Sequence, residues 1–131
     1  YNPGLQTGFY STNILDTIRF SVQHAEEAAD EVDTWLEEAY TQADMNYAAQ
    51  QKYLVWDEAL NRLLDEAQRV LPAAELAQLA AEQSAWTADT ETAIEAAGKA
   101  YEGGSLYPLV VNSEAARLTE ERVYQLYEQL K

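Results

Sequence analysis

The sequence contains few of the residues that cross-link a chain or interrupt its helices. Its 131 residues include no cysteine, three prolines and five glycines. The absence of cysteine excludes disulfide bonds, thiolate nucleophiles and cysteine-ligated metal sites. Few prolines and glycines leave few positions at which a helix must stop, and they argue against an all-β protein with many short turns. No apolar run approaches the roughly 18 residues of a membrane span, so no transmembrane segment is predicted.

Histidine is equally scarce, because His24 is the only one in the chain. A Ser–His–acid triad would have to use His24, which lies in a stretch predicted to be plain helix. A di-iron bundle needs Glu-x-x-His pairs on two helices, and the residue three before His24 is Ser21. Glycine-rich nucleotide motifs and the Gly-x-Ser-x-Gly turn are missing as well. We therefore predict a protein that is not an enzyme, with no catalytic residues, no metal and no cofactor.

Acidic side chains dominate the charged residues. The 23 Asp and Glu residues against 8 Lys and Arg give a formal net charge of −15. Such a surface repels nucleic acid and anionic lipid and attracts a cationic partner. Simple solubility is the alternative explanation of the charge. Asp30, Asp33 and Glu37 recur at helical spacing and could gather a hard cation, but a solvated acidic helix face is the favoured interpretation.

The beginning of the chain favours export. The chain starts at Tyr1 without an initiating Met, as expected if a signal peptide or lipoprotein leader precedes it. An extracellular, cell-surface or periplasmic location is therefore expected. Pro3, Gly4 and Gly8 predict an irregular arm over residues 1–12, and residues 13–131 are predicted to form a single helical domain.

Apolar residues recur every three or four positions, which is typical of amphipathic helices. The first helix is predicted to start near Asn13, with the stripe Ile14, Ile18, Val22, Ala25, Ala29, Val32 and Leu36. Thr41 is predicted to cap a long second helix from Gln42 to Leu71. Its seam, the clearest in the chain, is Ala49, Tyr53, Trp56, Leu60, Leu63, Ala67 and Val70.

A third helix is predicted from Pro72 to Tyr101, where Gly103-Gly104 stops it. Its stripe is Leu76, Leu79, Gln83, Trp86, Thr90, Ala93, Ala97 and Tyr101. Gly103 to Asn112 is predicted to be a loop or first turn, with Ser113 as the cap of the final helix. The predicted fold is all-α: a small antiparallel up-and-down helical bundle of about four helices, with long second and third helices.

The aromatic residues divide into two groups. Trp56 and Trp86 lie on helical stripes and are predicted to belong to the core. Tyrosines beside a glycine turn are better candidates for an interface. The predicted partner-binding residues are Tyr101, Ser105, Leu106, Tyr107 and Val110.

An ordered set of short motifs carries a family resemblance. It consists of Thr41-Gln42-x-x-Met45-Asn46, Asp57-x-x-Leu60-Asn61, Gln83-x-x-Trp86, Gly104-Ser105 and Leu118-Thr119-x-x-Arg122. From about Thr34 to Lys131 the chain resembles the LprI-type lysozyme inhibitor family, also known as the domain of unknown function 1311. The resemblance implies a small all-α domain exported to the bacterial envelope, often as a lipoprotein, that inhibits lysozyme through protein–protein contact.

This chain departs from the family pattern at the cysteines. Members commonly carry cysteines near the positions occupied here by Glu38, Tyr47, Ile94 and Glu114. The disulfides that brace the family are therefore missing, which makes this chain a cysteine-free divergent member. We expect the long seam of the second helix and the extra N-terminal helix to compensate.

The polar motif residues are predicted to be structural. Asp57 and Asn61 lie one helical turn apart, and Arg122 is predicted to reach them from the last helix. One carboxylate, one amide and one guanidinium offer no proton-transfer partner near neutral pH, so a brace is favoured over catalysis. Replacing Arg122 with alanine is expected to lower the melting temperature.

Two functions follow from the sequence. The first is an exported protein-binding domain that inhibits a basic lysozyme by contact, because opposite charges steer the two proteins together. The alternative is a helical envelope protein that acts as a scaffold or forms oligomers without inhibiting lysozyme.

Overall fold

Residues 3–131 form a helical bundle. The computed structural model describes the backbone of residues 3–131 and the side chains of residues 14–131. The α-helices are α1 (Pro3–Glu37), α2 (Gln42–Val70), α3 (Ala73–Gly98) and α4 (Tyr107–Leu130), with a 3-10 turn at Lys99–Tyr101. The described residues contain no strand, and the predicted all-α bundle is confirmed.

Helix α1 begins earlier than expected. Its backbone is helical from Pro3, within the segment for which an irregular arm was predicted. Proline suits the first turn of a helix, where its missing N–H would have no partner. The side chains of residues 1–13 lie outside the described residues, and the domain boundary at residue 12 stays a prediction.

Helix α2 has the ends that the sequence predicts. Thr41 adopts extended backbone angles, and its side-chain oxygen accepts a 3.0 Å hydrogen bond from the backbone N–H of Asp44. At the other end, Leu71 is extended because it precedes Pro72. The Leu71 N–H still bonds the carbonyl of Ala67 at 3.0 Å, which closes the last turn.

The core lies around α2, which packs against α1 on one side and α4 on the other. Helix α1 contributes its predicted stripe, in which Ile18, Val22, Ala25, Ala29 and Val32 are buried. Helix α2 contributes Trp56, Ala59, Leu60, Leu63 and Ala67, and α4 contributes Val123 and Leu126. The seam predicted for α2 is therefore confirmed over most of its length, whereas Tyr53 is half-buried and Val70 is exposed.

Helix α3 packs on α4 rather than on α2, which precedes it in the chain. Its predicted stripe is shallower than expected, because Leu79 is the one buried member and Tyr101 is exposed. Alanine, glutamine and threonine make up much of this stripe and offer little apolar surface to bury. Trp86 is half-buried and packs against the edge of the core, so its predicted core position is correct only in part.

The start of α4 was predicted wrongly. The helix begins at Tyr107, so residues 107–112 are helical and Ser113 is an interior residue rather than a cap. Pro108 lies in the first turn, where its fixed backbone angle favours a helix. The apolar run after Pro108 shows no helical periodicity, and Leu109, Val110 and Val111 are all half-buried rather than divided between a buried and an exposed face.

Gly98 sets how closely α3 approaches the start of α4. A β-carbon at Gly98 would lie 2.6 Å from Cγ1 of Val111 and 2.8 Å from Cε2 of Tyr107. We expect Gly98→Ala to destabilise the protein by about 1–2 kcal/mol in urea unfolding, because overpacking outweighs the helix propensity of alanine. Gly104→Ala is the control, since its nearest neighbour is the Tyr101 carbonyl at 3.4 Å. Equal stability of the two variants would contradict the close approach.

Candidate functional site

The loop before α4 is tied to the start of α2 by two amides. Gln42 donates from Nε2 to Oδ1 of Asn46 at 2.8 Å. Asn46 in turn donates from Nδ2 to the carbonyl of Ser105 at 3.2 Å. Gln42 and Asn46 belong to one motif of the sequence and Ser105 to another, so the fold brings these motifs together. The link holds Ser105 against the start of α2.

The predicted partner-binding residues lie in or beside this tethered loop. Tyr101, Ser105, Leu106 and Tyr107 are exposed, whereas Val110 is half-buried in the first turns of α4. The loop has its own internal hydrogen bonds, from Gly104 N–H to the Tyr101 carbonyl at 3.0 Å and from Tyr107 N–H to the Gly104 carbonyl at 3.3 Å. Its exposed side chains are therefore held on an ordered backbone.

Two further exposed tyrosines lie at the same end of the bundle. Tyr40 is in the α1–α2 turn, and Tyr47 follows Asn46 on α2. Sequence reasoning missed both, although Tyr47 directly follows the Asn46 motif. We call the exposed residues of this end the tyrosine end; its members are Tyr40, Tyr47, Tyr101, Leu106 and Tyr107. Exposed aromatic side chains are enriched at protein interfaces.

Carboxylates surround the tyrosine end. Glu37, Glu38, Asp44 and Glu102 are all exposed. None of them forms an ion pair within the described residues, so their charges are available to a partner. Aromatic anchors within a charged rim can bind a cationic protein and steer its approach.

Arg122 does not bridge to Asp57 or Asn61, so the predicted brace was wrong in its partners. Its Nε donates to Oε1 of Gln83 on α3 at 2.9 Å, and its Nη1 donates to Oε1 of Gln125 at 3.5 Å. Arg122 faces α3, while Asn61 points to solvent from α2 and Asp57 is half-buried. The brace therefore joins α4 to α3, the helix with the fewest buried apolar side chains.

The burial of Arg122 is unusual for a charged group. The residue is 6% exposed, and its Nη2 is buried without a hydrogen-bond partner. Desolvation lowers the pKa of the guanidinium below its ordinary value, against the attraction of Glu82, which raises it. Burying a charge without a carboxylate partner costs free energy, so this brace is not an efficient source of stability.

We expect Gln83→Leu to lower the free energy of unfolding more than Arg122→Met does. The first substitution leaves Nε of a buried charge unpaired, at a cost of about 1–3 kcal/mol. The second removes the charge and keeps an apolar side chain of similar length, so it should be neutral or stabilising. Urea unfolding of both variants tests this order. A larger loss in Arg122→Met would mean that the guanidinium is a net stabiliser.

The remaining structural-motif residues are spread along the core and its edge. Leu60 and Thr119 are buried, whereas Leu118 is half-buried. Together with Trp86 at the edge of the core, they position helices rather than line a reaction centre. No group of three or more His, Asp or Glu side chains within the described residues is arranged to hold a metal ion. His24 is exposed on α1 and stacks on Phe20, with ring centroids 6.4 Å apart.

Tyr124 links α4 to α1. Its hydroxyl donates to Oε2 of Glu26 at 2.7 Å. Burial, followed by this hydrogen bond, raises the pKa of the Tyr124 hydroxyl above its ordinary value. Burial and the nearby charge of Asp57 also raise the pKa of Tyr53.

The raised tyrosine pKa values predict a loss of stability at alkaline pH. A pKa that is higher in the folded than in the unfolded chain contributes stability that is intact below about pH 10 and is lost as the pH rises further. Tyr124→Phe removes the titrating group and should make the free energy of unfolding less dependent on pH above 10. An unchanged slope in this variant would contradict the contribution of Tyr124.

The fold and the site thus define a small acidic helical protein whose exposed features fit a contact surface. No helix among residues 14–131 combines the length and apolar character needed to cross a membrane. The family model for lysozyme inhibitor LprI matches residues 34–126, and the chain belongs to this family. The match begins near the end of α1 and includes α2, α3 and most of α4. Neither the curated proteins nor the solved structures contain a match to the chain.

Proposed function

We propose that this protein is an exported inhibitor of a basic lysozyme that acts by binding the enzyme through the tyrosine end. Family membership supports inhibition as the activity. The observation that carries the choice of surface is the ordered loop at residues 102–106, which is flanked by the exposed Tyr101 and Tyr107 and contains the unpaired carboxylate of Glu102. Export is part of the proposal, because lysozyme acts on the cell wall outside the cytoplasm.

Charge supports a basic lysozyme as the partner. The net charge of −15 favours encounter with a cationic protein and raises the association rate. Rim carboxylates such as Glu37, Glu38 and Glu102 would meet its basic surface, while Tyr101 and Leu106 would be buried at the centre. Binding should therefore weaken as salt is added, since charges are screened beyond about 10 Å at 0.1 M ionic strength.

A lysis assay tests the activity. Purified protein is mixed with lysozyme at increasing molar ratios, and the clearing of a cell-wall suspension is followed at two salt concentrations. Inhibition that is stronger at low salt is the expected result. Undiminished lysis at a large molar excess would reject inhibition, and self-association in light scattering would then favour the alternative function of an envelope scaffold or oligomer.

A further inference from the structure

A second surface feature lies away from the tyrosine end, in a cleft between α3 and α4. The cleft has a volume of about 270 Å³. Its polar and aromatic lining consists of Trp86, Asp89 and Thr90 from α3 and Glu121, Arg122 and Gln125 from α4. The volume is close to the lower end of the range of roughly 300–1,000 Å³ that is typical of small-molecule sites.

Among the residues that line this cleft, Arg122 is unusual because it is buried and forms no ion pair. Each of the other arginines, Arg19, Arg62, Arg69 and Arg117, has a carboxylate oxygen within 3.6 Å. Arg122 alone among the five lacks an ion pair, although it is the most buried of them and the chain is strongly acidic. Its two partners are neutral amides, and its Nη2 has none. The buried guanidinium therefore places a positive charge without an ion pair at the base of the cleft.

The charges around the cleft select a neutral ligand. Asp89 and Glu121 line it with negative charge, and Glu121 lies 3.6 Å from Arg117. These carboxylates and the net charge of −15 disfavour an anion, while the buried Arg122 disfavours a cation. The lining offers acceptors on Asp89 and both donors and acceptors on Thr90 and Gln125. A neutral ligand rich in hydroxyl groups matches this mixture.

Trp86 narrows the ligand class further. The side chain is half-buried against the core and contributes aromatic surface to the cleft wall. A sugar ring has an apolar C–H face that packs on an aromatic ring, and hydroxyl groups at its edge that both donate and accept hydrogen bonds. We propose that the cleft between α3 and α4 binds a neutral saccharide, with Trp86 as the stacking surface and Asp89, Thr90 and Gln125 as hydrogen-bonding partners.

Titration of the isolated protein with two trisaccharides tests the proposal. The probes are N-acetylglucosamine trimer, which carries the amide of an envelope amino sugar, and cellotriose, which is built from plain glucose. Calorimetry should give a dissociation constant on the order of 1 mM for at least one probe. Amide chemical-shift changes should be confined to residues 86–93 and 118–125. A preference between the probes identifies the source of the sugar.

The variant pair Asp89→Ala and Gln125→Ala should weaken binding at least about tenfold, because both side chains would lose hydrogen bonds to the ligand. Both residues are exposed, and the 3.5 Å bond that Gln125 accepts from Arg122 is long, so the fold should tolerate their loss, which urea unfolding of each variant checks. The control pair Asp65→Ala and Gln50→Ala removes the same chemical groups from exposed positions on α2. No saturable binding at up to about 10 mM, ten times the expected constant, or equal effects of the two pairs would overturn the proposal. Lysozyme is absent from this experiment, so its outcome is independent of the inhibition assay.

Discussion

Trp56→Ala is expected to destabilise the protein by about 3–5 kcal/mol, the largest effect of any single substitution considered. Trp56 is 1% exposed and lies on α2 at the centre of the core formed with α1 and α4. Its ring packs against Tyr124, with centroids 5.7 Å apart. Truncation removes this contact and leaves a cavity that helices cannot close without shifting.

The absence of disulfides makes this loss severe. Domains of this size have a total stability of about 5–15 kcal/mol. A native disulfide would contribute about 2–5 kcal/mol of that, and this chain has no cysteine to form one. Packing around Trp56 therefore carries a large share of the free energy of unfolding, and Trp56→Ala is expected to bring the protein near its unfolding threshold.

Urea unfolding followed by circular dichroism measures the effect. Trp35→Ala is the matched control, because Trp35 is 43% exposed near the end of α1 and should cost less than about 1 kcal/mol. Trp56→Phe adds a second comparison. The Trp56 indole N–H is buried without a partner, so phenylalanine keeps a ring and removes an unpaired donor. A cost for Trp56→Phe as large as that for alanine would show that the ring does not fill the site as described.

Helix α1 completes the core of this cysteine-free chain. The family match begins at residue 34, and the buried stripe of α1 precedes it. Ile18, Val22, Ala25 and Ala29 belong to the same core cluster as Trp56. Polar contacts add to this packing, since Lys52 of α2 lies 2.8 Å from Asp33 and Tyr124 of α4 bonds Glu26. Helix α1 is thus an integral layer of this protein.

How well the sequence predicted each element depended on how local its signals were. Helix α2 carries a cap at Thr41, a stop at Pro72 and a strong apolar seam, and its bounds were predicted to within one residue. The first turn of α4 was missed because residues 108–112 are all half-buried, so no apolar face alternates with an exposed one and the helical period is hidden.

The site was harder to predict than the fold because its contacts join distant segments. The sequence predicted that Arg122 joins two helices, but with Asp57 and Asn61 as its partners, because a carboxylate is the simplest partner for a guanidinium. The partner of Arg122 depends on how α4 is rotated about its own axis, and the observed rotation directs Arg122 to Gln83 of α3. The link from Asn46 to Ser105 likewise spans 59 positions and leaves no periodic signal. Motif order along the chain indicated the important residues without showing which of them meet.

The second large prediction concerns the tyrosine end. Leu106→Ala is expected to weaken the inhibition of lysozyme. Leu106 is 42% exposed in the tethered loop between two exposed tyrosines, Tyr101 and Tyr107. An apolar side chain at the centre of an interface is worth about 1–2 kcal/mol or more, so half-inhibition should require roughly ten times more protein. Adding Tyr101→Ala should extend the loss to about a hundredfold if both side chains are buried by the enzyme.

Leu54→Ala supplies a closely matched control. Leu54 has the same side chain and is 45% exposed, but it lies farther along α2, away from the loop. Both variants remove exposed apolar surface of similar size, so their effects on folding should be equal and small. Only contact with the enzyme distinguishes them, and the difference should appear mainly as faster dissociation of the complex. Equal inhibition by Leu106→Ala and Leu54→Ala would place the contact surface elsewhere on the bundle and leave the tyrosine end without its proposed role.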